Sequence, residues 1–203
     1  MIIAFVGIDG VGKTTLINMF AKYLKKKGKK VHIIKALNAH SSFMKNYNIL
    51  RNKFFLKYPN QKHAFNVISS YLMSFDLFQQ SEKIKKMDSN DTIILLDRWA
   101  ICQQLYAKVW MANNEFIDLA YNSCLKPNLT FVIDADMELV QKRIKDRGGA
   151  NEFENFFSLR RLKKLYQNYA KNNKKIVYIK NNNEIEFPYL EIIRAYNKES
   201  MYI

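Results

Sequence analysis

The chain reads as a single doubly wound α/β domain, a five-stranded parallel sheet with helices on both faces, and three features predict it. Five short apolar runs alternate with longer amphipathic stretches. The stretches between the runs are too long for hairpins, so parallel pairing through helical crossovers is expected. The first run leads directly into a glycine-rich loop and then a helical pattern, the order in which a phosphate-binding α/β fold opens.

The apolar runs are IIAFVG at 2–7, VHIIKA at 31–36, TIILLD at 92–97, LTFVID at 129–134 and KIVYIK at 175–180. Each is nearly continuous in Val, Ile, Leu and Phe, which predicts strands buried on both faces. Between them, LINMFAKYLKKK is an amphipathic helix closing at Gly28, and AFNVISSYLMSFDLFQQSEKIKKM is a long one. MELVQKRIKDR and LRRLKKLYQNYA follow the fourth run with the same helical period. No repeat, linker or low-complexity block divides residues 1–203.

Composition narrows the class. In 203 residues, 48% are hydrophobic and 25% charged, with six Gly and three Pro, which excludes disordered, collagenous and solenoid chains. The opening run Met1–Val6 is too short to span a bilayer and lacks a basic flank, so neither a signal peptide nor a membrane helix is expected. Cys102 and Cys124 stand alone, and His32, His40 and His63 are scattered, so neither a disulfide framework nor a zinc site is expected. A cytoplasmic location follows. The 33 Lys and Arg outweigh 18 Asp and Glu to give a net charge of +15. Such a field favours polyanions or phosphorylated molecules. The basic residues are dispersed in Lys- and Asn-rich surface stretches rather than gathered in one arm, so nucleic acid is not the expected partner.

Between the first strand and the first helix lies GIDGVGKTT, Gly7–Thr15, a full match to GxxxxGK[ST]. Gly7, Gly10 and Gly12 let the backbone, including Val11, approach phosphate oxygens without a Cβ in the way. The helix behind contributes the positive end of its dipole. Lys13 is expected to bridge the β- and γ-phosphates, the hydroxyl of Thr14 to ligate the accompanying Mg2+, and Thr15 to complete the ATP-binding loop. The third strand ends in Asp97-Arg98-Trp99. A carboxylate at the carboxyl end of a buried strand is costly without a cation, so Asp97 is expected to be a second metal contact. Arg98 follows it into the same crevice, where a guanidinium can grip a phosphate through two parallel hydrogen bonds.

FVGIDGVGKTT, the later DRW triplet, and RIKDRG followed by an acidic stretch and LYQNYA together resemble thymidylate kinases, members of the P-loop nucleoside monophosphate kinases. The resemblance runs over nearly the whole chain. It implies a P-loop NTPase fold with a short lid at about 147–157, ATP and Mg2+ as donor and cofactor, and dTMP as acceptor. It places Asp9 near the acceptor's sugar and phosphate, and Arg98 on that phosphate. Arg143 and Arg147 become the basic residues that neutralise the transferring group, four apart on one helical face. Tyr166 and Tyr169 form the Tyr-rich end of the helix after the lid.

Three departures from the family pattern bear on the acceptor. After the second strand KALNAHSS offers Lys35 and Asn38 but no Arg. The lid reads GGANEFE, in which only Glu152 and Glu154 match the family's acidic side. On the long helix the family's thymine-reading Arg falls on Asp76, flanked by Phe75 and Leu77. An ionised Asp accepts where Arg donates, so Asp76 would suit a base carrying an amino group. Alternatively Asp76 points to solvent or is shifted by a turn, and Gln79, Gln80 or Gln104 reads thymine, with Phe75 or Tyr71 stacked on the ring. Tyr106 completes the expected acceptor-binding set.

Two functions stay open on these residues. One is a phosphotransferase that acts on a nucleoside monophosphate, a deoxynucleoside or another small alcohol. The other is a regulatory ATP-binding protein without acceptor chemistry. An ATPase is expected to carry a water-activating Glu after the third strand, and Arg98 and Trp99 stand there instead. A nucleotide substrate and a homodimer are the expected partners.

Overall fold

The computed structural model describes residues 1–36, 41–87, 89, 91–149, 156–173, 175–182 and 184–201. Asn38, His40, Glu152 and Glu154, with much of the expected lid, lie outside them. The sequence reads as one domain, and the structure divides into two compact units. The first comprises Met1–Ile34, Asp88–Arg98 and Pro127–Ile203, and the second Lys35–Met87 and Trp99–Lys126.

The first unit is built on a five-stranded parallel sheet. Its strands are β1 (Ile2–Val6), β2 (Lys30–Lys35), β3 (Thr92–Asp97), β4 (Leu129–Asp134) and β5 (Ile176–Lys180). Their spatial order is β2-β3-β1-β4-β5. Phe5 of β1 pairs with Asp97 on one side and Phe131 on the other. The chain runs outward from β1 to β2 and then back across the sheet, and right-handed crossovers convert that reversal into helices on opposite faces. Helix α1 (Lys13–Lys26) packs with α8 (Glu186–Ser200), and α7 (Phe156–Lys171) packs on β4 and β5. β1 and β3 lie beside each other where the crossover direction reverses, the place at which open α/β sheets bind ligands.

Burial on both faces holds for β1, β3 and β4, whose residues are all buried. It does not hold for β2 and β5. These are the sheet's edges, so Ile33 is largely exposed and most of β5 only half-buried. An edge strand lacks one flanking neighbour, and an apolar run cannot reveal which strands take the edges. Phe5 meets Phe20 of α1 and Phe131 of β4 at ring distances of 6.1 and 5.0 Å, which fastens α1 to the sheet.

The second unit is helical: α2 (Ser42–Lys57), α3 (Lys62–Met87), α4 (Ala100–Val109) and α5 (Glu115–Ser123). The apolar periods of α2, α4, α5 and α8 are too short or too mixed to stand out in the sequence. For α2 and α5 the capping residues are the better signal, since Ser41 accepts from Met44 N and Asn114 from Ile117 N, whereas no side chain caps α4 or α8. Tyr47 and Phe65 join α2 to α3, with the Tyr47 hydroxyl 3.0 Å from Ser69 Oγ. Tyr121 of α5 donates to Ser70 O of α3, and Ser81 Oγ accepts from Leu125 N.

Asp134, buried at the end of β4, is held by Lys163 of α7 at 2.9 Å and by the Tyr178 hydroxyl and Gln167 amide. Burial, and then the donated hydrogen bond to Asp134, pushes the Tyr178 phenol up to about 12. The protonated phenol is the form that folding favours, so its contribution is complete below the ordinary value near 10 and is lost as pH rises through about 12. Thermal unfolding measured across that window should show stability falling with pH in the unaltered chain. The slope should be shallower in Tyr178→Phe, and equal slopes would show that Tyr178 carries none of it.

Candidate active site

The loop Gly7–Thr15 connects β1 to α1, as the spacing predicts. Gly7 has φ +141°, and a Cβ there would lie 2.2 Å from the Ile133 carbonyl oxygen of the neighbouring strand. Gly12 caps α1 in the left-handed region at φ 90°. No side chain caps α1 and its first turn holds no acid, so no carboxylate of its own competes at that positive end.

Lys13 is buried, and its ammonium donates to the Ile8 carbonyl at 2.7 Å, folding back over the loop. Thr14 Oγ1 donates to Asp97 Oδ2 at 3.0 Å. Asp97 is only 5% exposed, yet among the described residues no cation is paired with it. It does not cap the following helix, because that position belongs to Trp99. A buried carboxylate beside a hydroxyl is a pair of hard oxygen donors, which suits Mg2+.

Arg98 has φ 69°, a backbone conformation that L side chains adopt at a cost of about 1–3 kcal/mol. Its amide is held by Phe5 O at 3.0 Å, so the strained residue is fixed to the end of β1. The guanidinium pairs with the Asp9 carboxylate and reaches Gly7 O at 3.4 Å. The structure therefore brings Asp9 and Arg98 together as an ion pair on the loop.

Arg143 lies on α6 (Met137–Asp146), not within the expected lid. It donates to Gly10 O at 3.4 Å and Asn181 O at 3.3 Å, and burial lowers its pKa. Arg147, four residues on, is the exposed residue that caps α6 at its C-terminal end. The two glycines that follow have positive φ and end the helical repeat. Val11 is fully buried and Thr15 exposed. Tyr166 is buried on the core face of α7 with Leu159 and Leu162, and Tyr169 is half-buried. Sequence reasoning missed Asn181, which donates to Val11 O at 2.8 Å from just beyond β5. The only available signal was a polar residue ending an apolar run, in a stretch crowded with Asn.

The remaining expected acceptor residues lie on helices of the second unit. Asp76 does not point to solvent. It is 9% exposed and accepts from Gln80 Nε2 at 2.6 Å, one helical turn on. Burial raises its pKa against the lowering effects of Gln80 and Lys83. Phe75 and Tyr71 are exposed, and Tyr71 packs on Phe116 and accepts from Asn114. Gln79 is exposed. Gln104 is committed to Asp118 at 2.7 Å, and Tyr106 is buried against Trp110.

A parallel sheet with this loop at the end of β1 and a carboxylate at the end of β3 defines a P-loop nucleotide-binding protein. A family model described as thymidylate kinase matches residues 5–188, and the chain belongs to that family of phosphotransferases. The thymidylate kinase of Sulfurihydrogenibium sp. is 28% identical, over 85% of this chain and 84% of its own. The probable thymidylate kinase of Archaeoglobus fulgidus is 26% identical over 82% and 80%. The fold is that of the crystallised thymidylate kinase from Ehrlichia chaffeensis, with TM-score 0.69, 22% identity and coverage of 97% and 98%. It is likewise that of the Candida albicans enzyme, with TM-score 0.71, 18% identity and coverage of 98% and 92%.

Gly7 is the loop position least able to change, because a side chain would strike backbone of an inner strand. Gly7→Ala should lose about 2–4 kcal/mol in denaturant unfolding, whereas the same change at exposed Gly28, with nothing within 4 Å, should cost about 1 kcal/mol.

Proposed function

We propose that the chain transfers the γ-phosphoryl group of ATP to dTMP, with the Gly7–Thr15 loop as the donor site. The observation that carries this reading is the end of β3, where Asp97 stands beside Thr14 and Arg98 beside Asp9. An ATPase needs a base for water at that place, and Asp97 is occupied with the loop hydroxyl while Arg98 offers only donors.

Phosphoryl transfer asks the protein for positioning and positive charge rather than covalent chemistry. The loop amides and the Lys13 ammonium hold the donor's phosphates, with Val11, Thr14 and Thr15 completing the cradle. Thr14 Oγ1 and Asp97 would hold Mg2+, which when bound offsets the charge of the phosphate oxygens. Arg98 exchanges part of its contact with Asp9 for the acceptor phosphate, and Asp9 is left to orient that guanidinium and the acceptor's sugar. Arg147 adds positive charge near the transferred group, and Arg143 adds its charge from behind the loop. In the second unit, Phe75 and Tyr71 supply exposed rings for a base. Asp76 acts on its neighbour, fixing the Gln80 amide by accepting from its nitrogen and leaving Gln80 Oε1 to accept from a base N–H.

The same reading takes a second copy of the chain as partner, supported by exposed Ile49, Leu50 and Leu56 on α2, and places the chain in the cytoplasm with no nucleic-acid partner. Among the described residues no helix is long and apolar enough to cross a membrane.

Lys13→Ala should lower kcat by about a hundred- to a thousandfold in a coupled ADP-release assay with dTMP, while circular dichroism is retained. Normal turnover in that variant would end the reading of the loop. Arg98→Met should act chiefly on the acceptor, raising its KM by the equivalent of about 1.5–3 kcal/mol. Deoxythymidine turning over as well as dTMP would instead favour a deoxynucleoside kinase. In a panel of dTMP, dCMP and dAMP, Asp76→Ala should keep the preference for dTMP with a weakened KM. A switch of preference in that variant would place Asp76 on the base itself.

A further inference from the structure

A loop that presents backbone amides to an anion must turn the matching carbonyls the other way. In a trans peptide the C=O and the following N–H point in opposite directions, and no peptide here is cis. The Gly10 carbonyl accepts from Arg143 Nη1, so the Val11 N–H faces away from Arg143. The Val11 carbonyl accepts from Asn181 Nδ2 at 2.8 Å, so the Gly12 N–H faces away from Asn181. Two successive peptides are thus tied back from behind by two side chains.

Asn181 is itself rigidly placed. Its backbone N–H donates to Asp134 O at 2.7 Å, continuing the β4–β5 pairing, and its carbonyl accepts from the other Arg143 nitrogen. It is 1% exposed and its side-chain amide lies against the Gly12 α-carbon, where a Cβ would be 2.4 Å from Nδ2. Its Oδ1 is buried with no hydrogen-bond partner among the described residues. An unmet buried acceptor is a standing cost, and an apolar side chain of the same shape would fill this space without it. What the Asn supplies in return is a single donor, aimed at the Val11 carbonyl.

We infer that Asn181 is a positioning residue for the phosphate-binding loop, holding the Val11–Gly12 peptide so that the Gly12 amide is offered to the donor's phosphates before they arrive. The inference rests on the proposed reading that this loop binds ATP. Arg143 acts in the same clamp, since it ties Gly10 to the Asn181 backbone. Losing the Asn181 side chain therefore relaxes the Val11–Gly12 peptide, while the backbone carbonyl that Arg143 holds stays in place.

Binding of ATP and of inorganic tripolyphosphate, measured by titration calorimetry, tests this in Asn181→Leu, which has similar size and no donor. Both Kd values should rise by about tenfold, as for one misplaced hydrogen bond, while the KM for dTMP is unchanged. Parallel losses for ATP and tripolyphosphate locate the effect at the phosphates rather than at the adenine. A lowered melting temperature with unaltered affinity for both probes would make Asn181 merely structural and overturn the inference. Should Asn181→Leu fail to fold, Asn181→Asp keeps the shape and presents only acceptors to Val11, so wild-type affinity in that variant overturns it equally. In the unaltered, nucleotide-free chain, the Asn181 side-chain amide protons should exchange slowly with solvent, and rapid exchange would show that the tie is absent before ATP arrives. An unaltered chain that binds neither probe overturns the donor-site reading as well. Binding in the unaltered chain with no change in either variant removes only the role of Asn181.

Discussion

A backbone cannot offer its amides to an anion unless its carbonyls are satisfied somewhere else. That requirement organises the whole edge of this sheet. The loop after β1 needs positive φ at its glycines to curl, a wall of inner strands close behind it, and donors placed to receive the carbonyls it turns outward. The strands provide the wall, with Ile133 so near Gly7 that no side chain fits. Lys13, Arg143 and Asn181 provide the donors, from α1, α6 and the end of β5. Residues far apart in sequence thus act on one short turn.

Two buried carboxylates, at the ends of the strands that flank β1, show how the same fold treats buried charge in two ways. Asp134 ends β4 and Asp97 ends β3, each about 5% exposed. Asp134 is neutralised within the protein by an ammonium, a phenol and an amide, so it fastens α7 to the sheet. Asp97 has a loop hydroxyl for company and no described cation. A buried carboxylate without an internal counter-charge is expensive, and such a cost is met when a cation arrives with a ligand. The contrast supports the proposed metal contact at Asp97, which Asp134 does not share.

The helical unit spends its polar groups differently. Ser69, Ser70, Ser74 and Ser81 are buried along α3, and each bonds back to a carbonyl three or four residues earlier. Small hydroxyls satisfied in this way let other chain segments dock closely, as Tyr47, Tyr121 and Leu125 do. Asp76 belongs to this pattern of local satisfaction through its bond to Gln80, and the exposed rings of Phe75 and Tyr71 break the pattern.

The sequence alone was enough for the sheet and for the glycine-rich loop between β1 and α1, because both are written in contiguous signals. Apolar runs separated by helical periods specify a parallel sheet, and GIDGVGKTT carries its chemistry within nine residues. The Asp97-Arg98 pair was legible for the same reason, since a charged pair closing a buried strand has few places to go. Which strands took the edges, the short capped helices, the pairing of Arg98 with Asp9 and the tie from Asn181 to Val11 were decided by the tertiary structure. The last of these joins positions 170 residues apart. Asp76 shows the limit most plainly, for residue type and helix position suggested a base contact, whereas its burial and its turn-to-turn bond to Gln80 depend on what packs around α3. A side chain's partner is set by the distance its backbone is held from another, and only packing sets that distance.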